Sequence, residues 1–596
     1  MIGILGKSVP PDEALARRAL AAVPYPTPDV AFRRIGNALI GIATRPDFVD
    51  ESISTEGSLV AALSGRLDNA AELYGELSAA GTPPVSSADA DVVVAAFRAH
   101  GRGVVNRFRG AFAGIVTDGS TLWAFRDHVG FRSMFYRSDE SGFLVAGEAR
   151  QVVVAAQLAE EPDLRVAELL YYGGMPSNTP AALKGVQRLI QGAFAEATRD
   201  RELYLERYWT PWLLFETARL TVDEAGERFR ALLKQACERS ITGKDVVFLS
   251  GGLDSPAVAA FAAPAHLART GRPIGALSAI FPDLPDVDES ELTTLVARRF
   301  GMALETYRPS AKALDDVDEW SRKLGTPVPT LSIPEVWEAY SRAHELGYRN
   351  VLTGEFAELT YGKWPHALSH LLLKGRWRAL VRQIASEHAR GASRTALVLE
   401  ALTAFVPGKF ANRFFWRERA AQMAREIPSW VRTDKLQRPQ PRPDLLPPAR
   451  ERYRTLQLWG LEGCTVTMEA DATCAAIAGV TIRRPFADVD LWEFFLSLPA
   501  EVKFPERKWK ALARRALRGV IPDEILDRLK KTYFDPHVMQ QIDYPLLQRL
   551  LVAPRHQLPG VDYVEVARRI AAQDLGMGDW LSLRELARVH AFLNAW

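Results

Sequence analysis

The chain has 596 residues, with 74 Lys and Arg against 72 Asp and Glu and a formal net charge of +2. That length exceeds what one core serves and implies more than one domain, while the near-neutral balance excludes a global preference for nucleic acid or membrane. Cys237, Cys464 and Cys474 are too few and too scattered for a disulfide framework or a zinc site, and no apolar run approaches the ~18 residues of a membrane span, so a reducing cytoplasm is expected.

Residues 1–210 are rich in short strands and glycine turns. Met1-Ile2-Gly3-Ile4-Leu5 reads as a first strand, since it lacks the basic flank and long apolar stretch of a signal peptide. Ser64-Gly65-Arg66 follows a second apolar run, and helical patterns cover 70–80 and 90–99. Apolar alternation on both sides of Asp118-Gly119-Ser120 predicts a β-hairpin, closed by Arg126-Asp127-His128-Val129-Gly130. Residues 204–212 read as the exit from this domain, and 213–238 as an amphipathic helix.

The next stretch is Val246-Val247-Phe248-Leu249-Ser250-Gly251-Gly252-Leu253-Asp254-Ser255-Pro256. A β-branched apolar run predicts a buried parallel strand. Gly251 and Gly252 allow a tight turn and a close ligand approach. Ser255 is expected as N-cap and Pro256 as the first helical residue. A helix N-terminus behind a glycine turn suits a phosphate, and a carboxylate there, Asp254, suits a magnesium ion. The Gly-Lys-Ser/Thr ending of the P-loop is absent.

A second buried strand is expected at 274–281, followed by a helix from Asp288-Glu289-Ser290 to about Phe300. A helix over 335–346 and a strand at 350–352 lead to Thr353-Gly354-Glu355-Phe356-Ala357-Glu358. Alternating strands and helices imply a doubly wound parallel sheet with ligands at the carboxyl ends of its strands, which sets the 353–358 turn beside the 250–255 turn. Residues 363–454 carry 19 Lys and Arg against 7 Asp and Glu, with Trp364, Trp377, Trp416 and Trp430 interleaved. Helical patterns over 364–385 and 396–427 run into a proline-rich segment at 438–448. Basic residues among aromatics suit nucleic acid in principle, but with no recognised module a solvated helical insertion, or a docking surface for a peptide, fits better. Met468-Glu469-Ala470-Asp471 begins a helical run to Gly479, and Ile482-Arg483-Arg484-Pro485-Phe486-Ala487-Asp488, Lys510 with Arg514, and Arg528-Leu529-Lys530 follow.

Ser-Gly-Gly-x-Asp-Ser behind a strand resembles the pyrophosphate loop of ATP pyrophosphatases, and the remaining motifs extend the resemblance to asparagine synthetases and β-lactam synthetases. The resemblance implies an α/β protein of two domains. The first, 1–210, is a degenerate glutaminase of the Ntn-type αββα sandwich. The second, 211–596, is a doubly wound ATP pyrophosphatase domain with a basic helical insertion at 363–454. The sandwich lacks a nucleophile: position 2 is Ile2, no cysteine precedes Cys237, and Ser64 stands where the oxyanion-hole asparagine is expected. No alkyl side chain replaces a thiolate.

Carried over residue by residue, the resemblance gives Leu249, Ser250, Gly251, Gly252, Asp254, Ser255, Ile280, Thr353 and Gly354 to ATP. Asp254 and Glu358 fall on the magnesium ligands, and Glu355, Glu469 and Lys530 on the catalytic groups, with Glu355 and Glu469 both open as the proton acceptor. Phe356 departs from a glycine, Glu358 from an aspartate and Leu359 from an acid. Among relatives, the chain most resembles lasso peptide cyclases. That resemblance implies a core peptide as substrate, a leader-binding protein and leader peptidase as partners, and isopeptide formation with release of AMP and pyrophosphate. A β-lactam synthetase-like or ammonia-dependent asparagine synthetase-like ligase is the alternative, and a non-catalytic scaffold the second.

Overall fold

A computed structural model describes the chain except residues 8–9, 45–49, 172–179, 330–331, 363–365, 406–427, 433–450, 507–509 and 529–531. The expected proline-rich segment at 438–448, most of the helix expected over 396–427 and Lys530 lie outside the described residues.

The N-terminal part is a four-layer α/β sandwich. One six-stranded sheet has Ile2–Gly6 between Ala38–Thr44 and Gly142–Ala146, all antiparallel; the other runs from Glu51–Glu56 through Leu59–Leu67, Gly110–Thr117 and Thr121–Arg126 to Ala193–Thr198 and Tyr204–Arg207. Period-two alternation assigns the faces. Ala61 and Leu63 pack under the helices Ala70–Ala79 and Asp89–His100, whereas Val60 and Ala62 meet Leu5, Ile40 and Val145 between the sheets. A Cβ on Gly3 would stand 2.9 Å from the Ile115 side chain, so the sheets approach too closely there for any side chain. The expected hairpin is present, with Asp118 accepting the N–H groups of Ser120 and Thr121. The first part of the expected exit at 204–212 is still sandwich, since Tyr204–Arg207 is its edge strand.

The C-terminal part is built on five parallel strands in the order Ala303–Tyr307, Gly275–Ala279, Asp245–Phe248, Asn350–Leu352, Thr481–Arg483. Both faces are covered, so the strands alternate between two cores. Val246, Leu277 and Val351 pack with Tyr340, Ala343 and Cys474, while Val247, Ala276 and Leu352 pack with Phe229, Ala257 and Val258. The helix expected over 213–238 begins later, at Val222. Thr221 caps it through a reciprocal box with Glu224, and Pro211–Leu214 is a separate short turn. The insertion is broken at Gly375 (φ +66°) into Ala367–Leu373 and Trp377–Ala389, followed by Arg394–Leu402. Its charge is not simply solvated. Leu368, Leu371, Leu380 and Leu397 form a core with Tyr453, Ala500 and Phe504, and Arg376 bridges Glu216 and Glu501.

The two parts are joined by buried charge. Asp50 accepts two bonds of 2.9 Å from Arg483 and one of 2.6 Å from Arg132. These two guanidinium groups outweigh the cost of burial and hold the Asp50 carboxyl far below the usual range. Glu469 lies between Arg188 (2.8 and 2.9 Å) and Arg126 (3.0 Å). Removing one partner of such a pair leaves an uncompensated buried charge, so Asp50→Ala is expected to cost about 3–5 kcal/mol in denaturant-induced unfolding.

Candidate active site

Strand order reverses between Asp245–Phe248 and Asn350–Leu352, since later strands are added outward on both sides of this pair. A crevice at such a switch point opens at the carboxyl ends of the strands. There the 250–255 turn and the 353–358 turn meet as expected. Their contact is backbone against backbone: a Cβ on Gly354 would stand 2.6 Å from the Ser255 nitrogen.

The first turn is closed by its own serines. Ser255 Oγ accepts from the Ser250 N–H at 2.9 Å and lies 3.0 Å from Ser250 Oγ. The helix starts at Asp254 and runs to Thr270 with Leu253 as N-cap and no side-chain cap, so Ser255 and Pro256 are its second and third residues rather than cap and first. Proline is tolerated there because first-turn N–H groups have no helical partner. Gly251 gives its N–H to Glu289 at 2.8 Å, and a Cβ on it would meet Leu292 at 2.8 Å. Its role is therefore close packing of the loop, and its N–H faces the protein. Arg528 completes the brace, donating to the Gly251 carbonyl (2.9 Å) and to Glu289 (2.7 Å). Glu289 reads in the sequence as an ordinary acid at a helix start; only the fold shows it beneath the loop.

Asp254 lies on the inner wall, its side chain 19% exposed. Oδ2 accepts from Lys510 Nζ at 2.5 Å, whereas Oδ1 is buried with no hydrogen-bond partner. Burial pushes this carboxyl up, Lys510 pulls it down and Glu358 pushes it up again. Lys510 also lies 3.8 Å from Glu358, whose carboxylate is half exposed. Among the described residues no group of three His, Cys, Asp or Glu gathers to hold a metal by itself. Two carboxylates and an open side fit magnesium, which keeps waters and takes substrate phosphates as its other ligands. An unpartnered buried Asp254 oxygen is the feature such an ion would satisfy. Lys510 itself is left-handed (φ +57°) and precedes the helix Ala511–Ala516 instead of lying on it.

In the second turn, the buried Thr353 gives its N–H to the Arg483 carbonyl at 3.0 Å. Glu355 is half exposed and accepts from Arg484 Nε at 2.7 Å. Phe356, where the resemblance expects glycine, has φ +70°. A bulky residue in that region is strained by roughly 1–2 kcal/mol, and its ring packs on Phe131 at 6.2 Å. Ile280 follows the second strand, its N–H on the Tyr307 carbonyl at 2.9 Å. Arg514 serves the backbone, donating to the carbonyls of Leu526 and Arg528. None of the bonds of Glu469 reaches this cluster. Its oxygens are occupied by two guanidinium groups of the sandwich.

With this geometry, comparison with known proteins is direct. The asparagine synthase family matches residues 228–592. The chain belongs to the asparagine synthase family. A glutamine amidotransferase domain matches residues 50–153, within the sandwich. Asparagine synthetase 3 (glutamine-hydrolyzing) of Bacillus subtilis (strain 168) is 25% identical over 494 residues, 80% of this chain and 75% of that protein. Amidase chry2 of Gibberella zeae is 23% identical, over 76% of this chain and 73% of that protein. Carboxyethyl-arginine beta-lactam-synthase of Streptomyces clavuligerus is 28% identical over 258 residues, 42% of this chain and 44% of that protein. The family is one of ATP-dependent amide-forming ligases.

Beside the acid pair, a small cavity of about 10 Å³ is lined by Glu358, Tyr361, Lys510 and Lys503. Lys503 is 3% exposed; burial pushes its ammonium down to about 7 against the opposing pull of Glu216. The unfolded chain therefore binds a proton that the folded chain rejects from pH 10.5 down to about 7, and stability falls across that window as pH falls. Lys503→Met is expected to raise the melting temperature most below pH 7, with the gain vanishing towards pH 10.5. Gly354→Ala is expected to lower ATP–pyrophosphate exchange at least about 10²-fold, because the two turns must separate to admit its methyl group.

Proposed function

We propose that this chain activates an Asp or Glu side-chain carboxylate of a core peptide with ATP and joins it to the N-terminal amine of the same peptide, as lasso peptide cyclases do. One observation carries the reading. The Asp254–Lys510–Glu358 cluster of the activating site is present, while the sandwich, with no cysteine before Cys237, lacks the thiol that would release ammonia from glutamine. That combination favours a nitrogen supplied by the substrate itself over one released from glutamine.

Carboxylates are poor acyl donors because oxide is a poor leaving group. Transfer of AMP to the carboxylate, with loss of pyrophosphate, makes phosphate the leaving group. Ser250, Gly252 and Ser255 border the phosphates, with Leu249 and Gly251 shaping the loop, and Thr353, Gly354 and Ile280 border the nucleotide. Asp254 and Glu358 would hold magnesium, which would supply positive charge to the departing pyrophosphate. Lys510 holds the two carboxylates together, and Lys530 supplies positive charge to the transition states; losing such a group costs roughly 10²–10³ in rate. Glu355, half exposed at the mouth of the crevice, takes the proton of the attacking amine; Glu469 fixes the sandwich against the synthetase part. The basic insertion suits an extended peptide, and a leader-binding protein and leader peptidase would deliver that peptide. No helix among the described residues is long and apolar enough to cross a membrane.

The test uses a linear lasso-type core peptide, taken from any short precursor reading frame found beside this gene, with Mg-ATP. The expected result is loss of one water from the peptide with one AMP and one pyrophosphate formed. Asparagine made from aspartate and ammonia, or a β-lactam from a small amino acid, would replace this reading with one of its alternatives. Pyrophosphate release from none of these substrates would favour a scaffold.

A further inference from the structure

We infer that Arg484 is a positioning residue for amide formation: anchored by Asp471, it fixes the carboxylate of Glu355 where the attacking amine gives up its proton. The inference rests on Glu355 being the proton acceptor, as proposed above.

Four side chains form one line. Tyr340 is buried, stacked on Phe248 of the central strand at 5.5 Å, and gives its hydroxyl to Asp471 Oδ1 at 2.9 Å. Asp471 Oδ2 accepts from Arg484 Nη2, and Arg484 Nε donates to Glu355 Oε2 at 2.7 Å. The Asp471 and Arg484 side chains are 8% and 4% exposed, whereas that of Glu355 is 53% exposed. The line thus runs from the core and ends on a carboxylate at the surface of the crevice. An unsupported glutamate samples several rotamers; a planar guanidinium with its second fork tied to a buried acid allows few of them. Thr353 adds a second, longer contact to the same oxygen at 3.4 Å.

Position matters because of what the step requires. As the amine nitrogen bonds to the acyl carbon, the bond from that carbon to the AMP oxygen breaks and AMP leaves with the electron pair. The surplus proton on nitrogen passes to Glu355. Activation of the carboxylate needs no such acceptor. Loss of Arg484 is therefore expected to separate the two half-reactions, which a general loss of structure would not do.

The experiment compares wild type, Arg484→Met, Arg484→Lys, Glu355→Gln and the Arg484→Met/Glu355→Gln pair with Mg-ATP. Hydroxylamine, a nucleophile that needs no base at neutral pH, traps the activated core peptide as hydroxamate and reports activation. Ring closure of the same peptide reports the amine step. Arg484→Met is expected to slow ring closure about 10²-fold and leave hydroxamate formation within about threefold. Arg484→Lys, a single point charge without the fork, recovers only part of the loss. In the Glu355→Gln background, Arg484→Met should change ring closure by less than about twofold, since the two residues act as one unit. Because Arg484→Met strands the buried Asp471, Arg484→Met with Asp471→Asn is the variant read when the single change does not fold, with the same expected split. Ring closure at the wild-type rate in Glu355→Gln would overturn the acceptor reading itself. Impaired closure in Glu355→Gln with normal closure in Arg484→Met, parallel loss of both half-reactions, or additive losses in the pair would overturn the role of Arg484 alone.

Discussion

The site depends on the contact between two turns that are a hundred residues apart in the chain. Gly354 lies so close to Ser255 that a single methyl group would stand 2.6 Å from its backbone nitrogen. Parallel pairing of Asp245–Phe248 with Asn350–Leu352 brings the two turns to the same edge, and the reversal of strand order leaves nothing between them. Asp254 and Glu358 then share Lys510 from a third segment. Chemistry at this edge is a consequence of sheet order, enforced by one missing Cβ.

Around that contact the chain spends much of its buried charge on fixing geometry. Glu289 and Arg528 brace the first turn from below. Arg483 and Arg484, adjacent at the edge strand, point to different partners. Arg483 reaches Asp50 in the sandwich, and Arg484 reaches Glu355 and Asp471. Burying so many ions costs desolvation, and each is tolerable only because it is paired. The sandwich thus contributes acids and arginines to the shell of the synthetase part: its Asp50 holds Arg483, whose carbonyl accepts from the Thr353 N–H.

Much of this was legible in the residues. Ser250 to Ser255 and the alternation of strands and helices implied the parallel sheet and the meeting of the two turns, because glycine, apolar period and chain order are local properties. Phe356 stood out as a departure, and the fold gives it the left-handed backbone that the expected glycine would adopt without strain. Other expectations failed for physical reasons. Ser255 caps no helix because its hydroxyl is drawn back to Ser250. Gly251, expected to leave room for a ligand, gives its N–H to Glu289. Glu469 meets Arg126 and Arg188 of the sandwich, some three hundred residues away along the chain, a pairing no local pattern announces.

Residue types at short spacing sufficed for the class of the fold, for the glycine turn between strand and helix at 250–255, and for the absence of any cysteine before Cys237. Only the tertiary structure decided which charges meet: Lys510 with Asp254 and Glu358, Arg484 with Glu355 and Asp471, Asp50 with Arg483. Pairing of buried charges follows from which strand ends and helix faces lie side by side, and spacing along the chain carries no information about distances across it.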